Sequence, residues 1–585
     1  MFDPRIYRAA LIPAVAAFVL MMFSLEPVPN PLEPPVSTPT FEAGDATRIA
    51  REIVAVAPNR EPGSEGDRAA AELVRERFEA IEGGQVSTQD FSSSFDGADV
   101  DLQNVLLTIP GGSGGTLLVV AARDAAEGEG AATSAAATGL LVSLAENLAA
   151  ARRERTLIFA STAGGSDGAS GAEELVDALP ATETIGAAVV ISQPGADPAE
   201  RPHVITSGTE PESVSPQLAE TARVLAAGEF GEREDGPGAF GGLARLAVPI
   251  GLGEQAALRR AGLEAIAISG AGERALSAEE AASISTETLA LSGGTTLSLL
   301  LTLDEAERGP APGPDEYIRL GDNLIPGWVL SLLAIALIVP PLLAAADTWL
   351  REQRLDWRTR RTLFWALERA LVPFAALLLA YLLGLIGLVP DPRFPYDPAR
   401  FPPEAAAPVA FVVLAAAAVL AALLIRPMRT PLDSEAHTLA AAAGIVCGGA
   451  LVGIWLLNPY LALLLFPAAH VWLLPARAAG PPRAALIAAV ALLSLMPAFA
   501  ALASVSAQLD LGLAAPWHLL LMIEDGQIGF GTSLLWCAML GGLLACVTAA
   551  GARGVRSREA APIRGMGSHA GPGALGSIPS SVPRR

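Results

Sequence analysis

The chain of 585 residues contains no lysine, so all 39 of its basic residues are arginine. Together with abundant Ala and Gly this matches the coding bias of a GC-rich genome, and the choice of arginine at a given position therefore says little about function. Cysteine is nearly absent. The three present, Cys447, Cys537 and Cys546, all fall in long apolar runs. No disulfide can staple the rest of the chain, and a domain there must rest on an ordinary hydrophobic core. Histidine is scarce as well, and His203 is the one histidine between residues 25 and 322. Positive charge is short overall, 61 Asp and Glu against 39 Arg for a net of −22, yet 51% of residues are hydrophobic and the mean hydropathy is +0.43. A soluble acidic globule is not that apolar. The acids are unevenly placed: residues 25–322 hold 47 of them with 19 Arg, a net of −28, and the remainder is +6 while carrying nearly all the long apolar runs. One part is acidic and water-soluble and the other is membrane. A single globular domain is excluded, and so is nucleic-acid binding by the acidic part, whose field repels phosphates.

Residues 9–25, preceded by Arg5 and Arg8, form an apolar stretch just long enough to cross a bilayer. No small-x-small cleavage site follows, so it reads as an uncleaved anchor (residues 1–25) leading into a Pro-rich stalk (26–42). Seven more apolar stretches follow, at 324–347, 364–389, 406–425, 437–457, 460–475, 484–506 and 531–550, giving eight spans. Arginine concentrates in alternate loops: Arg351, Arg354, Arg358, Arg360 and Arg361, then Arg426 with Arg429, then Arg477 with Arg483, and the tail carries Arg553, Arg556, Arg558 and Arg564. The positive-inside rule puts these loops and both termini in the cytoplasm. The domain at 43–310 is then extracytoplasmic, the seven-helix membrane domain spans 324–550, and the Gly-, Ser- and Pro-rich tail at 551–585 is expected to be disordered.

Within the acidic domain, short runs rich in Val, Ile and Leu recur at 104–109, 116–122, 155–161, 187–192 and 265–269. They read as buried strands. Helical patterns lie around them at 47–56, 66–81, 136–151, 172–179, 215–226, 254–261 and 287–303. The alternation predicts an α/β fold, a mainly parallel sheet with helices on both faces and functional loops at the carboxyl ends of strands.

Those strand ends carry a pattern. Asn104-Val105 opens a strand running into Pro110-Gly111; Val119 to Ala122 is followed by Arg123-Asp124; residues 132–139 lead into a long helix; the strand at 156–163 runs into Gly164-Gly165; and Gly253-Glu254-Gln255 opens a later helix that ends before Gly262. The series resembles the di-zinc aminopeptidases of the bacterial leucyl aminopeptidase type, over about 260 residues. The resemblance implies a zinc-exopeptidase-like fold. It also implies which positions would hold the metals, and there the chemistry is missing. The first His ligand falls at Ala122, the bridging Asp at Ala135, the base and ligand Glu pair at Gly164 and Gly165, a further Asp at Ser192, and the last His between residues 270 and 276, where there is none. Asp124 remains, matching the residue that orients the lost His, with Ser134 beside it. These seven positions, Ala122, Asp124, Ser134, Ala135, Gly164, Gly165 and Ser192, are expected to be a vestigial active site with no catalytic and no metal-binding residue. With one His and no Cys in the domain, a two-His dinuclear centre cannot be assembled in any register.

Other chemistries find no better footing. Ser166-Asp167, Ser170 and His203 are the residue types of a serine hydrolase, but no Gly-x-Ser-x-Gly elbow follows a strand, and the Gly-rich runs at 111–115 and 164–171 lack a phosphate-loop ending. In the membrane half, Glu368-Arg369, His470 and Asn458 are too scattered to mark a transport path, while dense small residues at 415–422 and 444–453 suit close helix packing. The segment 517–528 reads as an interfacial helix. The expected protein is a membrane-anchored, inactive peptidase-like module that needs no cofactor and recognises or scaffolds a peptide, a lipid-linked ligand or a membrane-protein partner in contact with membrane lipid. Its layout is similar to that of the peptidase-like subunit of the GPI transamidase. Two further readings stand beside it: a zinc aminopeptidase with an atypical ligand set, and a transporter or lipid-handling permease with an accessory outer domain.

Overall fold

A computed structural model of the chain describes residues 4–559 apart from short segments at 37–38, 96–97, 113–114, 126–127, 167, 180–183, 198–201, 232–235, 275, 356–358, 397, 426–435 and 478–483. Asp167, Arg358, Arg426, Arg429, Arg483, Arg564 and the tail from 560 lie outside the described residues.

Ten strands are described: β1 Glu26–Pro27, β2 Gln85–Phe95, β3 Ala98–Ile109, β4 Thr116–Ala122, β5 Thr156–Thr162, β6 Ile185–Ser192, β7 His203–Ile205, β8 Ala265–Ser269, β9 Tyr317–Leu320 and β10 Asn323–Pro326. Seven form one sheet in the order β2-β3-β5-β4-β6-β8-β7. The pairs β5/β4, β4/β6 and β6/β8 are parallel, whereas β2/β3, β3/β5 and β8/β7 are antiparallel. The sheet is therefore mixed rather than mainly parallel. The cause lies in β2, QVSTQDFSSSF, a polar edge strand whose residues are all exposed or half-buried. It has no apolar run to announce it, and its short connection to β3 permits only an antiparallel hairpin.

The central strands are apolar at both parities, and the two parities feed different cores. Leu117, Val119, Leu157, Phe159, Val189, Ile266 and Ile268 face one layer. Leu118, Val120, Ile158, Ala160, Val190 and Ala267 face the other. The first layer is covered by helices Ala43–Val56, Glu65–Glu79, Ala136–Ala149, Pro216–Phe230 and Thr286–Glu305, the second by Ser170–Ala178 and Glu254–Arg260. Strands buried on both faces must lose alternation, which is why they stand out as continuous apolar runs. Helix starts follow local chemistry: Ser64 accepts from the Asp67 amide at 3.1 Å, Ser215 from Leu218 at 3.3 Å, and Ser277 with Glu280 forms a reciprocal capping box.

Seven of the described helices are long and apolar enough to cross a membrane, or eight if the pair Ala484–Ser494 and Met496–Gln508, bent by 41°, is one span. Each of the eight expected stretches coincides with one of these. The last helix runs Phe530–Glu559, past the expected boundary at 550. A second sheet, β1-β10-β9, ties the chain leaving the first apolar helix to the chain entering the second, pairing Glu26 with Leu324 and Pro27 with Asn323. The Pro-rich segment is not free-standing: Leu32 donates to Thr221 Oγ1 at 3.0 Å, and Gln217 donates to the Asn30 carbonyl at 2.9 Å.

Candidate functional site

The carboxyl ends of β4, β5 and β6 open on a cleft of about 200 Å³. Ala122, Asp124, Ser134, Gly165 and Ser192 line it, so the structure brings together five of the seven positions named from sequence. Ala135 is fully buried and Gly164 is buried, and neither is on the wall. Ser134 and Ala135 sit in a π-turn, Ala131–Ala135, that opens the following helix.

Asp124 is 3% exposed. Its carboxylate accepts from the Gly165 amide at 2.8 Å, the Ser166 amide at 3.0 Å and the Ser166 hydroxyl at 2.6 Å. This is the geometry of a carboxylate clamping the turn after β5. Its lone pairs are spent on that turn and not offered to the cleft. Behind it lies a buried cationic network. Arg60, fully buried, donates to the carbonyls of Arg123 (2.9 Å), Ala57 (2.8 Å) and Glu129 (2.8 Å) and to Ser134 Oγ (3.0 Å). Burial lowers its pKa to about 10, while Asp124 and Asp67 hold it up. Arg123 pairs with Asp67 at 2.8 Å, both almost fully buried, and burial raises the Asp67 pKa against the opposing pull of Arg123.

Glu254 is the residue that the sequence reading misses. It sits at the start of the helix Glu254–Arg260, is 4% exposed, and accepts from the Thr162 hydroxyl and the Ala122 backbone amide. Burial pushes its pKa up to about 7, and the nearby Asp124 carboxylate adds to the rise. The signal lies in Gly253-Glu254-Gln255, an acid opening a helix at one of the motif positions, but the motif says nothing of where that side chain points.

Zinc does not fit these residues. A di-zinc site needs imidazole and carboxylate ligands converging with open lone pairs, and here the ligand positions are Ala, Gly and Ser. The space is closed too. A Cβ on Gly165 would come 2.4 Å from Ala122 Cβ, and one on Gly164, whose φ is +73°, would come 2.1 Å from Ser170 Oγ. Among the described residues, no group of three or more His, Cys, Asp or Glu side chains is arranged to hold a metal ion. The Ser166 hydroxyl is given to Asp124 at 2.6 Å, and His203 lies on the wall of another cavity.

The cleft has a roof that does not come from its own domain. Pro395, Tyr396, Pro398, Ala399 and Arg400, from the loop between helices Leu371–Leu385 and Ala406–Ile425, line it from above. The loop is anchored below by the Gly168 amide on the Pro395 carbonyl (2.9 Å), by Arg393 on Glu173 and Ser93 (each 2.8 Å), and by the Arg400 guanidinium 4.1 Å from the Phe95 ring centroid. On the other side, Tyr396 Oη meets His518 Nδ1 at 3.1 Å and Trp517 donates to the Phe401 carbonyl at 3.1 Å.

No family model matches the chain, and no curated protein matches it. Solved structures do. A glutaminyl cyclase from an Acidobacteriales bacterium is 15% identical, with 47% of this chain covering 99% of that one at a TM-score of 0.37. A zinc aminopeptidase from Bacillus subtilis is 11% identical, with 47% of this chain covering 99% of that one at 0.38. An aminopeptidase from Aneurinibacillus is 11% identical, with 48% covering 97% at 0.35. At these values the likenesses concern the shape of part of the chain and add nothing to its chemistry.

Proposed function

We propose that the protein is a membrane-anchored, catalytically inactive peptidase-like protein whose outer domain recognises or scaffolds a peptide, a lipid-linked ligand or a membrane partner. The observation that carries this reading is the filled cradle. Where a di-zinc peptidase keeps ligands, this chain has Ala122, Ala135, Gly164, Gly165 and Ser192, and the neighbours of both glycines leave no room for a carboxylate-bearing side chain. The remaining acids of the lining are committed inside the protein, Asp124 and Glu254 to hydrogen bonds and Glu273 to Arg245 and Ser207. A cleft roofed by a loop of the membrane half suits a module that couples an outer face to a membrane assembly rather than one that turns over soluble peptides. The protein works in the cell membrane, with both termini cytoplasmic and the acidic domain outside.

The test uses full-length protein in detergent. The expected outcome is no stoichiometric zinc by elemental analysis and no cleavage of aminoacyl reporters, with a membrane partner recovered by crosslinking in intact membranes. Two zinc atoms per chain together with chelator-sensitive cleavage would overturn the reading.

A further inference from the structure

The cleft of about 200 Å³ at the carboxyl ends of β4, β5 and β6 carries two polar groups that the protein itself leaves unused. Gln255, the second residue of the helix Glu254–Arg260, is 1% exposed, and its Nε2 is buried without a hydrogen-bond partner. Gln193, the residue after β6, donates its Nε2 to the Arg274 carbonyl at 3.2 Å, while its Oε1 is buried without a partner. Among the described residues these are the two side-chain carboxamide atoms in that condition, and both residues line the same cleft. One is a donor and the other an acceptor. A buried polar atom without a partner is costly, and a ligand that supplies the missing hydrogen bond removes that cost.

The backbone is bent to present them. Gln193 has a φ of +47°, in the left-handed region that a residue other than glycine seldom enters, and strain of this kind persists at ligand sites. Gly253 has a φ of +147°, and a Cβ there would come 2.6 Å from Gln255 Oε1. The glycine both permits the turn and makes the room in which the Gln255 side chain lies.

The rest of the lining says what kind of ligand fits. Its charged groups are engaged inside the protein: Asp124 clamps Gly165 and Ser166, Glu254 accepts from Thr162, Glu273 pairs with Arg245 at 2.9 Å, Arg274 pairs with Glu280 at 2.9 Å, and the Arg400 guanidinium lies on the Phe95 ring. A charged ligand finds no uncommitted counter-charge among the described residues, and burying an ammonium without one is costly. The two unused groups ask for an uncharged partner that offers a carbonyl to Gln255 and an N–H to Gln193, and a secondary amide carries both. Val190, Leu252, Leu276 and Pro395 give the space apolar walls, and the Ser134 and Ser166 hydroxyls are already engaged with Arg60 and Asp124. Such a lining suits a short acyl group better than the several hydroxyls of a sugar. The space is smaller than a drug-sized site and is roofed by the loop that carries Pro395 and Tyr396, so it takes the end of a ligand rather than its middle.

We propose that the cleft holds the N-acylated end of a peptide, whose amide carbonyl accepts from Gln255 Nε2 and whose amide N–H donates to Gln193 Oε1. This ligand class rests on the inactive cleft proposed above: the acylated end is held and not cleaved. A free amino terminus is selected against, because its ammonium would enter with no uncommitted carboxylate to meet it.

The experiment uses full-length protein in detergent at about pH 6, where a free α-amine is charged, and measures the dissociation constants of N-acetylalaninamide and alaninamide by ligand-observed NMR. The acetylated compound is expected to bind about tenfold tighter, the scale of one hydrogen bond gained and one unpaired charge avoided. Gln255→Leu is expected to lose that preference with an unfolding temperature at or above the parent's, because the Nε2 it removes makes no bond within the protein. Gln193→Asn suits the left-handed backbone and withdraws the acceptor; it is expected to lose the preference too, and it decides should Gln255→Leu misfold. Equal affinity for the two compounds with neither converted overturns the ligand class alone, as does a preference unaltered in the folded variants. Displacement of N-acetylalaninamide by an equal concentration of N-acetylglucosamine overturns the peptide assignment in favour of an amino sugar. Acetate or ammonia released from N-acetylalaninamide in the same spectra overturns the inactive reading while supporting the ligand class, so the two failures are told apart.

Discussion

At the scale of single residues, the peptidase-like cleft is a place where carboxyl groups have been turned inward. Glu254 shows it most clearly. Its carboxyl is buried against Thr162 and faces Asp124, and its pKa rises from an ordinary 4.5 to about 7. The folded state therefore holds a proton that the unfolded chain releases. Below pH 4.5 both states are protonated and the group costs nothing. As pH rises through 4.5 to about 7 the unfolded state ionises first, and stability is lost. Glu254→Gln keeps an acceptor for the Thr162 hydroxyl and abolishes the titration. Relative to the parent, the variant is expected to gain on the order of 3 kcal/mol between pH 5 and pH 8, read as the change in the pH dependence of thermal unfolding of the full chain. A parent and variant whose unfolding temperatures run parallel across that range would show that Glu254 ionises normally. This residue was legible only in part. The positions Ala122, Ala135, Gly164 and Gly165 could be named from sequence because they are identities at fixed places in a motif. The burial of Arg60 and Glu254 depends on contacts far apart in sequence, such as those between Arg60 and the Arg123 carbonyl and between Thr162 and Glu254, and the closing of the space on Gly165 against Ala122, and no local pattern announces them.

At the scale of elements, the central strands and the seven helices around them were readable because burial on both faces writes itself into the sequence as unbroken apolar runs. What escaped has a common physical cause. The edge strand β2 is polar, β7 is three residues long, and the pairing of β1 with β10 joins segments separated by nearly the whole domain. The loop roofing the cleft escaped for the same reason: Pro-rich and balanced in charge, it reads as a mere connection. Its grip on the acidic domain is polar and partly exposed, with Arg393 and Glu173 at 44% and 30% exposure, so it is expected to be modest. Arg393→Glu replaces an attraction to Glu173 by a repulsion, a change of about 1 kcal/mol at such a site. Amide exchange in residues 391–404 should then accelerate about fivefold, with exchange in β4 and β5 unaltered. Unchanged exchange in the loop would mean that Tyr396, Phe401 and the membrane half hold it alone.

At the scale of the whole molecule, the charge imbalance is the basis of the orientation we propose. The −28 of residues 25–322 is carried by one folded body, and most arginines of the remainder fall in alternate loops, Arg369, Arg393 and Arg400 excepted. Translocating arginine-rich loops is disfavoured, while acids contribute little to orientation. In the orientation we propose, the acidic body stands on the far side because of the loops and not because of its own charge. The chain offers a clean readout, since its native cysteines, Cys447, Cys537 and Cys546, are all buried. A cysteine replacing Glu279, exposed on the short helix Ala278–Ala281, tests the acidic body, and one replacing Arg354, exposed near the end of the helix Gly327–Leu355, tests the first arginine-rich loop. With a membrane-impermeant maleimide, Glu279→Cys is expected to label in intact cells and Arg354→Cys only after permeabilisation, while the parent stays unlabelled in both. The reverse pattern would put the acidic body in the cytoplasm. It would also require the arginine-rich loops to have crossed the membrane, removing the charge asymmetry as the determinant of this protein's orientation.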